Sequence, residues 1–343
     1  MTAAADALHA RVRAVIDAFG FEGPLDFDAL ARDLACHQVA HDAGYRRLCA
    51  ARGVDPTLAP PSALPAVPTD AFKLTRVASF PPALDAVVFR TSGTTIGARG
   101  AHALRRIDTY RAAALAAADR LLFPRGAGPV LAIADPPSVA PDSSLSCMLG
   151  WFVEAYGGRF VSPTDPAGIA AALSACEGPT LVAATAFAWV HLVDAGVRAT
   201  LPAGSRAMQT GGFKGRSREV SPAQLRADLA QTLGIPPADV TGEYGMTELS
   251  SQLYAHGEPD RWRYVAPPWV RVRACDPDSL AQLPANSVGV LRIEDLANVE
   301  SAWAVQTADL GVVHEDGRVE LHGRAAGAPP RGCSLAIEEL LGS

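Results

Sequence analysis

A run of hydroxyl-bearing residues and glycines between Arg90 and Gly100 is the part of this sequence best suited to chemistry. It reads Arg-Thr-Ser-Gly-Thr-Thr-Ile-Gly-Ala-Arg-Gly and follows the apolar stretch Ala86–Phe89, which predicts a short buried strand. A helical pattern follows, from about Arg105 to Leu122. Glycines let backbone amides approach a ligand, and amides and hydroxyls beside a helix start suit an anion such as phosphate. The alternative is an ordinary strand–helix turn; the Walker pattern Gly-x-x-x-x-Gly-Lys-Ser/Thr is absent from the sequence.

Two later stretches change the balance between those alternatives. One reads Gly-Glu-Tyr-Gly-Met-Thr-Glu and ends at Glu248; the other reads Thr-Ala-Asp-Leu-Gly and ends at Gly311, with Gly323-Arg324 shortly after it. Together with the first run they resemble, in order, the phosphate loop, the Tyr-Gly-x-Thr-Glu motif and the ribose-binding aspartate motif of the adenylate-forming superfamily, which includes acyl-CoA synthetases and luciferases. Three such motifs in this order form a much more specific signal than any one alone.

The resemblance implies ATP-dependent activation of a carboxylic acid with Mg²⁺, and it implies a role for each matching residue. The residues expected to hold the triphosphate are Thr91, Ser92, Gly93, Thr94, Thr95 and Arg99. Tyr244 is expected to stack on adenine, Thr247 to bond the α-phosphate, Glu248 to hold Mg²⁺, and Asp309, with Arg324 nearby, to accept the ribose hydroxyls. Each role has a plainer alternative: a packing aromatic for Tyr244, a helix-terminal carboxylate for Glu248 and a turn residue for Asp309. At Ile96, Ala98 and Arg99 the loop departs from the Gly, Pro and Lys that are usual in the superfamily.

A glycine-rich segment, Gly211-Gly212-Phe213-Lys214, matches the superfamily's segment beside the adenine and acyl pocket. In large members a catalytic lysine comes from a mobile C-terminal domain, and we expect that domain to be absent here. Lys73 and Lys214 are the only lysines in the sequence. Lysine is a compact point charge, and Lys214 is therefore a candidate to neutralise charge during adenylation; chance placement is the alternative.

A further motif, Arg331-Gly332-Cys333, lies toward the end of the sequence and narrows the family resemblance. With Phe72-Lys73 and Gly-Gly-Phe-Lys, this resembles the acyl-protein synthetase family, whose best-known members activate fatty acids for the bacterial bioluminescence reductase complex. That resemblance implies that Cys333 takes the acyl group as a thioester and passes it to a partner reductase. Arg331 is expected to favour the thiolate, and nearby glycines to let the tail swing. The alternative for Cys333 is packing, which is also our interpretation of the other five cysteines.

Composition limits the class of protein. Half of the 343 residues are hydrophobic and the formal net charge is −6, which predicts a globular protein without an electrostatic footprint for nucleic acid. The N-terminus has no basic segment typical of a signal peptide, and the most apolar long run is too short to span a bilayer. Six cysteines without a regular framework favour free thiols and a cytoplasmic protein.

The elements that must position these residues follow from hydrophobic periodicity. The hydrophobic pattern of residues 1–85 predicts helices, one of them capped by Asp26, and a proline-rich extended connector after them. Residues 86–250 alternate apolar runs with helical segments, which predicts a largely parallel α/β core flanked by helices. Residues 251–343 predict a smaller β-rich subdomain and a tail. The fold class is therefore the α/β large-domain fold of adenylate-forming enzymes, with a β-rich C-terminal subdomain and without the mobile domain.

The function expected from the sequence is formation of an acyl-adenylate and transfer of its acyl group to a protein thiol. Two alternatives stay open. One is an acyl-CoA ligase that lacks the C-terminal domain, and the other is a nucleotide-binding scaffold subunit that has lost catalysis. The identity of the acid is not readable from the sequence.

Overall fold

The computed structural model describes residues 2–19, 25–92, 99–211, 221–256, 262–325 and 330–342. The helices in these ranges are α1 (Thr2–Asp17), α2 (Phe27–His41), α3 (Ala43–Ala51), α4 (Ala71–Leu74), α5 (Asp108–Ala117), α6 (Ser144–Tyr156), α7 (Pro166–Ser174), α8 (Ala186–Asp194), α9 (Pro222–Leu233) and α10 (Arg331–Leu341). The strands are β1 (Val67–Pro68), β2 (Val87–Arg90), β3 (Ala101–Leu104), β4 (Val130–Ile133), β5 (Gly158–Val161), β6 (Leu181–Thr185), β7 (Arg206–Thr210), β8 (Val240–Tyr244), β9 (Leu253–His256), β10 (Arg263–Val265), β11 (Val270–Cys275), β12 (Val288–Asp295), β13 (Ala304–Val313) and β14 (Val319–Arg324).

The first of two compact units comprises Met1–Ala116, Met246–Gln252 and Ala266–Ser343. Its antiparallel strands follow the order β11, β12, β13, β14, and β1 pairs in parallel with β13. A separate ribbon pairs β2 with β3 in antiparallel register. Helix α10 packs against α3 and β1, and the predicted cap of α2 is confirmed, because Asp26 Oδ1 accepts from the Ala29 amide at 2.9 Å.

The second unit comprises Ala117–Gly245 and Leu253–Val265. Its parallel strands follow the order β5, β4, β6, β7, β8, and β9 and β10 continue the sheet in antiparallel register. Every residue of β4 is buried, as is nearly all of β6, which is typical of parallel strands covered on both faces. The helices α7, α8 and α9 supply the apolar side chains that pack on these strands, among them Ile169, Trp189 and Leu229.

Three predictions about local structure are wrong for identifiable reasons. The Arg90–Gly100 run does not lead directly into a helix; it connects β2 to β3, because Ala101–Leu104 pairs with Val87–Arg90. The second half of the proline-rich connector is not a bare linker, because Val67 pairs with Val305 and is buried. The C-terminal tail is largely the helix α10. The division into segments 1–85, 86–250 and 251–343 stays a prediction.

Candidate active site

The Arg90–Gly100 run is closed at its base by a pair of hydrogen bonds. The Thr91 amide donates to the Gly100 carbonyl at 3.0 Å, and the Gly100 amide donates to Thr91 Oγ1 at 2.9 Å. Arg99 folds back on the same ribbon, where its guanidinium donates to the carbonyl oxygens of Thr91 and Arg90 at 2.6 and 3.2 Å. Ser92 is exposed. The ends of the loop are thus fixed on a hairpin, and Gly93, Thr94 and Thr95 lie outside the described residues.

Glu248 lies against this loop base within the first unit. A methyl group placed on Gly100 would be 3.5 Å from Glu248 Oε1 and 3.0 Å from the Thr91 methyl, so the carboxylate borders the loop directly. The Glu248 residue is only 6% exposed. Two predicted site elements that are about 150 residues apart in sequence, the phosphate loop and the Thr-Glu pair, therefore meet in space.

The Thr247–Glu248 backbone is held by side chains from two directions. The Nδ1 atom of His102, on β3, lies 2.7 Å from the Thr247 carbonyl oxygen. The Asn298 amide nitrogen donates to the Glu248 carbonyl oxygen at 2.9 Å, and to the Ala302 carbonyl at the same distance. Because both side chains are buried, these bonds exchange little with water and fix the direction of two successive peptide groups.

The residues after Glu248 are fixed in the same way. The carboxylate of Asp295, at the end of β12, accepts from the Ser250 amide at 2.9 Å and from the Ser251 hydroxyl at 2.7 Å. Burial raises the pKa of Asp295 to about 6, although these hydrogen bonds oppose the rise. Trp269 Nε1 donates to Ser251 Oγ at 2.9 Å. The whole Thr247–Ser251 segment is thus attached to a buried polar network.

Asp309 and Arg324 face each other across β13 and β14. They are directly paired in register, and the Arg324 Nε atom lies 3.7 Å from Asp309 Oδ1. The Asp309 amide donates to Thr307 Oγ1 at 3.0 Å, and the Thr307 hydroxyl lies 2.8 Å from the Leu291 carbonyl oxygen. Both side chains are partly exposed. The threonine therefore orients the aspartate backbone, while a carboxylate and a guanidinium stay accessible to a ligand.

Tyr244 ends β8 in the second unit and is largely buried. Its ring lies 6.0 Å from that of Tyr264 in an edge-on arrangement, and a methyl group at Gly242 would meet the Trp262 ring and the Tyr264 hydroxyl at 2.6 Å. Glu243, which lies between Gly242 and Tyr244 in the sequence, accepts a hydrogen bond from Thr210. Burial raises the pKa of Glu243 to about 7. Packing accounts for the position of the Tyr244 ring, and its contact with adenine stays a prediction.

The glycine-rich segment is described only at its first residue. Gly211 is exposed, has a φ of +71° and accepts a hydrogen bond from Gln209 Nε2 at 3.2 Å. A positive φ favours glycine at this position. Gly212 and Lys214 lie outside the described residues, and their expected roles stay predictions.

Cys333 lies in the first turn of α10 and is 4% exposed. Burial raises the pKa of its thiol to about 11, and the Asp70 carboxylate adds to the rise. This direction is opposite to the one expected from Arg331. Nor does Gly332 make the segment free to swing, because a methyl group there would lie 2.6 Å from Leu280 Cγ and 2.9 Å from the Asp278 carbonyl oxygen. Gly332 instead allows α10 to pack closely.

The donor set fits Mg²⁺ in one particular way. This ion is commonly held by one or two carboxylates together with substrate phosphates and water. Within the described ranges no group of three or more His, Cys, Asp or Glu side chains is arranged to hold a metal ion. Glu248, a hard oxygen donor beside the predicted phosphate loop, therefore fits an ion that would be bound mainly by phosphates and water.

Sequence reasoning missed the residues that hold the Thr-Glu pair in place: His102, Asp295 and Asn298. A signal for two of them was present, because Glu294–Ser301 is a dense polar run between two apolar strands. His102 is one histidine in a short apolar stretch, and nothing in its neighbourhood along the chain indicates the contact with Thr247.

Comparison with known families supports the resemblance stated from the motifs. Residues 180–342 match the model of the LuxE acyl-protein synthetase family, so the resemblance to that family is confirmed over this region. No curated protein sequence matches the chain.

Solved structures of adenylate-forming enzymes share the fold. The 2-hydroxyisobutyryl-CoA ligase, in complex with 2-HIB-AMP and CoA, aligns with a TM-score of 0.64 at 16% identity, covering 91% of this chain and 82% of the ligase. ATP-bound MatB from Rhodopseudomonas palustris aligns with a TM-score of 0.52 at 20% identity, covering 70% of this chain and 48% of MatB. The amide bond synthetase McbA from Marinactinospora thermotolerans aligns with a TM-score of 0.50 at 20% identity, covering 73% and 52%.

These likenesses confirm the predicted α/β adenylate-forming fold class. The chain spans about half the length of MatB and McbA. In the part of the chain that is described, no helix has the length and apolar character needed to cross a membrane. A cytoplasmic location stays a prediction.

Proposed function

We propose that this chain is an AMP-forming carboxylate ligase that activates a carboxylic acid with ATP and then transfers the acyl group to a thiol. In the first step a carboxylate oxygen attacks the α-phosphorus of ATP, an acyl-adenylate forms and pyrophosphate leaves. In the second step a thiolate attacks the acyl carbon, a C–S bond forms and AMP leaves. The match to the LuxE family model and the adenylate-forming fold support this order of steps.

The contact between Glu248 and the base of the Arg90–Gly100 loop carries the proposal. A buried carboxylate at the base of the loop would repel an anion bound to the loop, unless a cation lies between the two negative charges. Glu248 would hold Mg²⁺, which supplies positive charge at the phosphates when bound. Thr247, adjacent in sequence, would hydrogen-bond the α-phosphate, and the loop would hold the triphosphate.

Asp309 supports the adenosine side of the proposal. Its partly exposed carboxylate has the two oxygens needed to accept both ribose hydroxyls, and Arg324 opposite it would interact with the nucleotide. Tyr244 would stack against adenine, and Gly211 with Gly212 would allow the ring to approach the backbone. Lys214 would neutralise charge at the α-phosphate or at the carboxylate of the acid.

The acceptor of the acyl group is the finer part of the proposal. Cys333 corresponds to the acyl-carrying cysteine of the acyl-protein synthetase resemblance, and a partner reductase would take the group from it. A thiol that is 4% exposed cannot meet an adenylate where it lies. Transfer to Cys333 therefore requires α10 to leave the contacts that cover the thiol.

Carboxylate-dependent exchange of radiolabelled pyrophosphate into ATP tests the first step. A panel of short, long, branched and hydroxylated acids should contain at least one that drives exchange, since formation of the adenylate is reversible. Absence of exchange with every acid, under conditions where the chain is folded and binds ATP, would favour the scaffold alternative and contradict the proposal.

Product analysis with and without CoA tests the second step. Acyl label that becomes attached to the protein without CoA, and is released by hydroxylamine, indicates a protein thioester. Accumulation of acyl-CoA with unlabelled protein would favour the acyl-CoA ligase alternative, for which the likeness to a ligase crystallised with CoA is the specific observation.

A further inference from the structure

His102 connects the hairpin that carries the phosphate loop to the backbone of the Thr-Glu pair. It lies on β3 two residues after Gly100 and pairs in register with Phe89 of β2. Its side chain is 1% exposed, and its ring packs edge-on against that of Phe72 with the centroids 5.7 Å apart. The ring therefore has a defined position relative to the loop.

The hydrogen bond to Thr247 defines which ring nitrogen carries the proton. The Thr247 carbonyl oxygen can only accept, so at 2.7 Å the Nδ1 atom must donate to it. Burial lowers the pKa of His102 to about 4, and near pH 7 the ring is neutral with Nε2 deprotonated. The buried Nε2 atom has no hydrogen-bond partner among the described residues. The ring's polar function in this arrangement is thus its Nδ1–H group.

The peptide between Thr247 and Glu248 is the link between the two side chains of the proposed adenylation site. His102 holds the carbonyl on its Thr247 side, and Asn298 holds the next carbonyl, that of Glu248. Rotation of either peptide group would move the Glu248 carboxylate away from the loop base that it borders. A displacement of about 1 Å at such a site is enough to lower a rate substantially.

We propose that His102 is a positioning residue for adenylation: its Nδ1–H group fixes the Thr247–Glu248 peptide to the phosphate-loop hairpin. The proposal rests on the proposed function. His102 does not contact the reacting atoms; it acts through Thr247 and Glu248. Its loss should therefore lower the turnover of adenylation much more than it weakens the binding of ATP.

The test uses variants that move the donor along the side chain. Asparagine places an amide nitrogen near the position of Nδ1, whereas glutamine places it near Nε2. We expect His102→Asn to retain exchange within about threefold of wild type. His102→Gln and His102→Phe should each lower kcat by about tenfold or more, with KM for ATP changed by less than about threefold, the size of effect that follows from one lost buried hydrogen bond. His37→Gln, which alters another buried histidine of the same unit, is the matched control and should keep wild-type kcat.

Thermal unfolding of all four variants separates positioning from folding. Similar melting temperatures for the Asn and Gln variants with different kcat values would support the proposal, even if the Phe variant does not fold. Equal activity of the Asn and Gln variants, whether both normal or both impaired, would overturn it, as would a fall in kcat that only follows the loss of stability. Wild type that exchanges pyrophosphate normally keeps the proposed function intact in those cases, whereas an inactive wild type would overturn both.

Discussion

Two sites in the first unit are expected to do chemistry, and the structure around them holds their reactive side chains in different ways. The Thr247–Glu248 pair borders the phosphate-loop base and is held by His102, Asn298 and Asp295 through hydrogen bonds to its own segment. Cys333 is held as well, but in a position where its thiol is covered by packing. Polar groups that are already in position reduce the rearrangement needed during a reaction. Of these two sites, the Thr247–Glu248 pair has this advantage and Cys333 does not.

The difference separates the two steps of the proposed reaction. The observed arrangement suits adenylation, because the carboxylate and the loop already meet. It does not suit acyl transfer, because α10 is attached at both ends: the Gly332 amide donates to the Pro277 carbonyl at 3.1 Å, and Arg47 Nε donates to the Leu340 carbonyl at 2.9 Å. Acyl transfer through Cys333 therefore calls for a second arrangement of α10.

The largest expected effect is at Glu248. Glu248→Gln keeps the size of the side chain but removes the charge that would hold Mg²⁺, and pyrophosphate exchange should fall by about 100-fold or more, as for other transition-state charge contacts. Circular dichroism should show an unchanged fold. Glu177→Gln changes an exposed carboxylate and is the control. Near-normal exchange in the Glu248 variant would remove this residue from the mechanism.

The thiol of Cys333 should react more slowly than an ordinary thiol, by a factor similar to the one expected for the Glu248 variant. Raising the pKa from 9.0 to about 11 lowers the thiolate fraction at pH 8 by about 100-fold. Alkylation of Cys333 in the folded chain without substrates, followed by site-resolved mass spectrometry, should be at least that much slower than in the denatured chain. The rate should keep rising tenfold per pH unit beyond pH 9. Rapid alkylation that levels off near pH 9 would show that the thiol is accessible and remove the contrast between the two places.

Lys214 gives the next largest effect. If it neutralises charge during adenylation, Lys214→Ala should lower kcat of exchange by about tenfold or more, with a smaller change in KM for ATP. Lys73→Ala, which removes an exposed ion pair with Asp70, is the matched control because these are the only two lysines. A Lys214 variant that adenylates normally but fails in transfer would assign the lysine to the second step.

Much of the fold followed from hydrophobic patterning, whereas several contacts of the site did not. The strand at Leu181–Thr185 was predicted from the apolar run at 179–184, because parallel strands that are covered on both faces need continuous apolar runs. The strands Ala101–Leu104 and Gly158–Val161 are only four residues long and depend on pairing with distant segments. Neither has a pattern of its own that exceeds its surroundings.

The contacts of the candidate site were also only partly predictable from the sequence. Residue types and spacing indicated Glu248 and the loop, because a carboxylate, hydroxyls and glycines have specific chemical uses. Their meeting within one unit depends on the fold, as does the contact of His102 with Thr247. Burial of Cys333 was predicted only as the alternative to an acyl-carrying role, because Arg-Gly-Cys resembles a flexible tail. The close helix contact that the absence of a side chain on Gly332 allows depends on the fold.

The separation of the two steps is tested most directly with Cys333→Ser. The variant and wild type are compared for pyrophosphate exchange and for attachment of radiolabelled acyl groups to the protein, with Cys176→Ser as control. We expect exchange within about twofold of wild type, since adenylation does not use the thiol, and loss of the hydroxylamine-labile label. A serine variant that is labelled as well as wild type, or that loses exchange while it remains folded, would contradict the separation of the two steps.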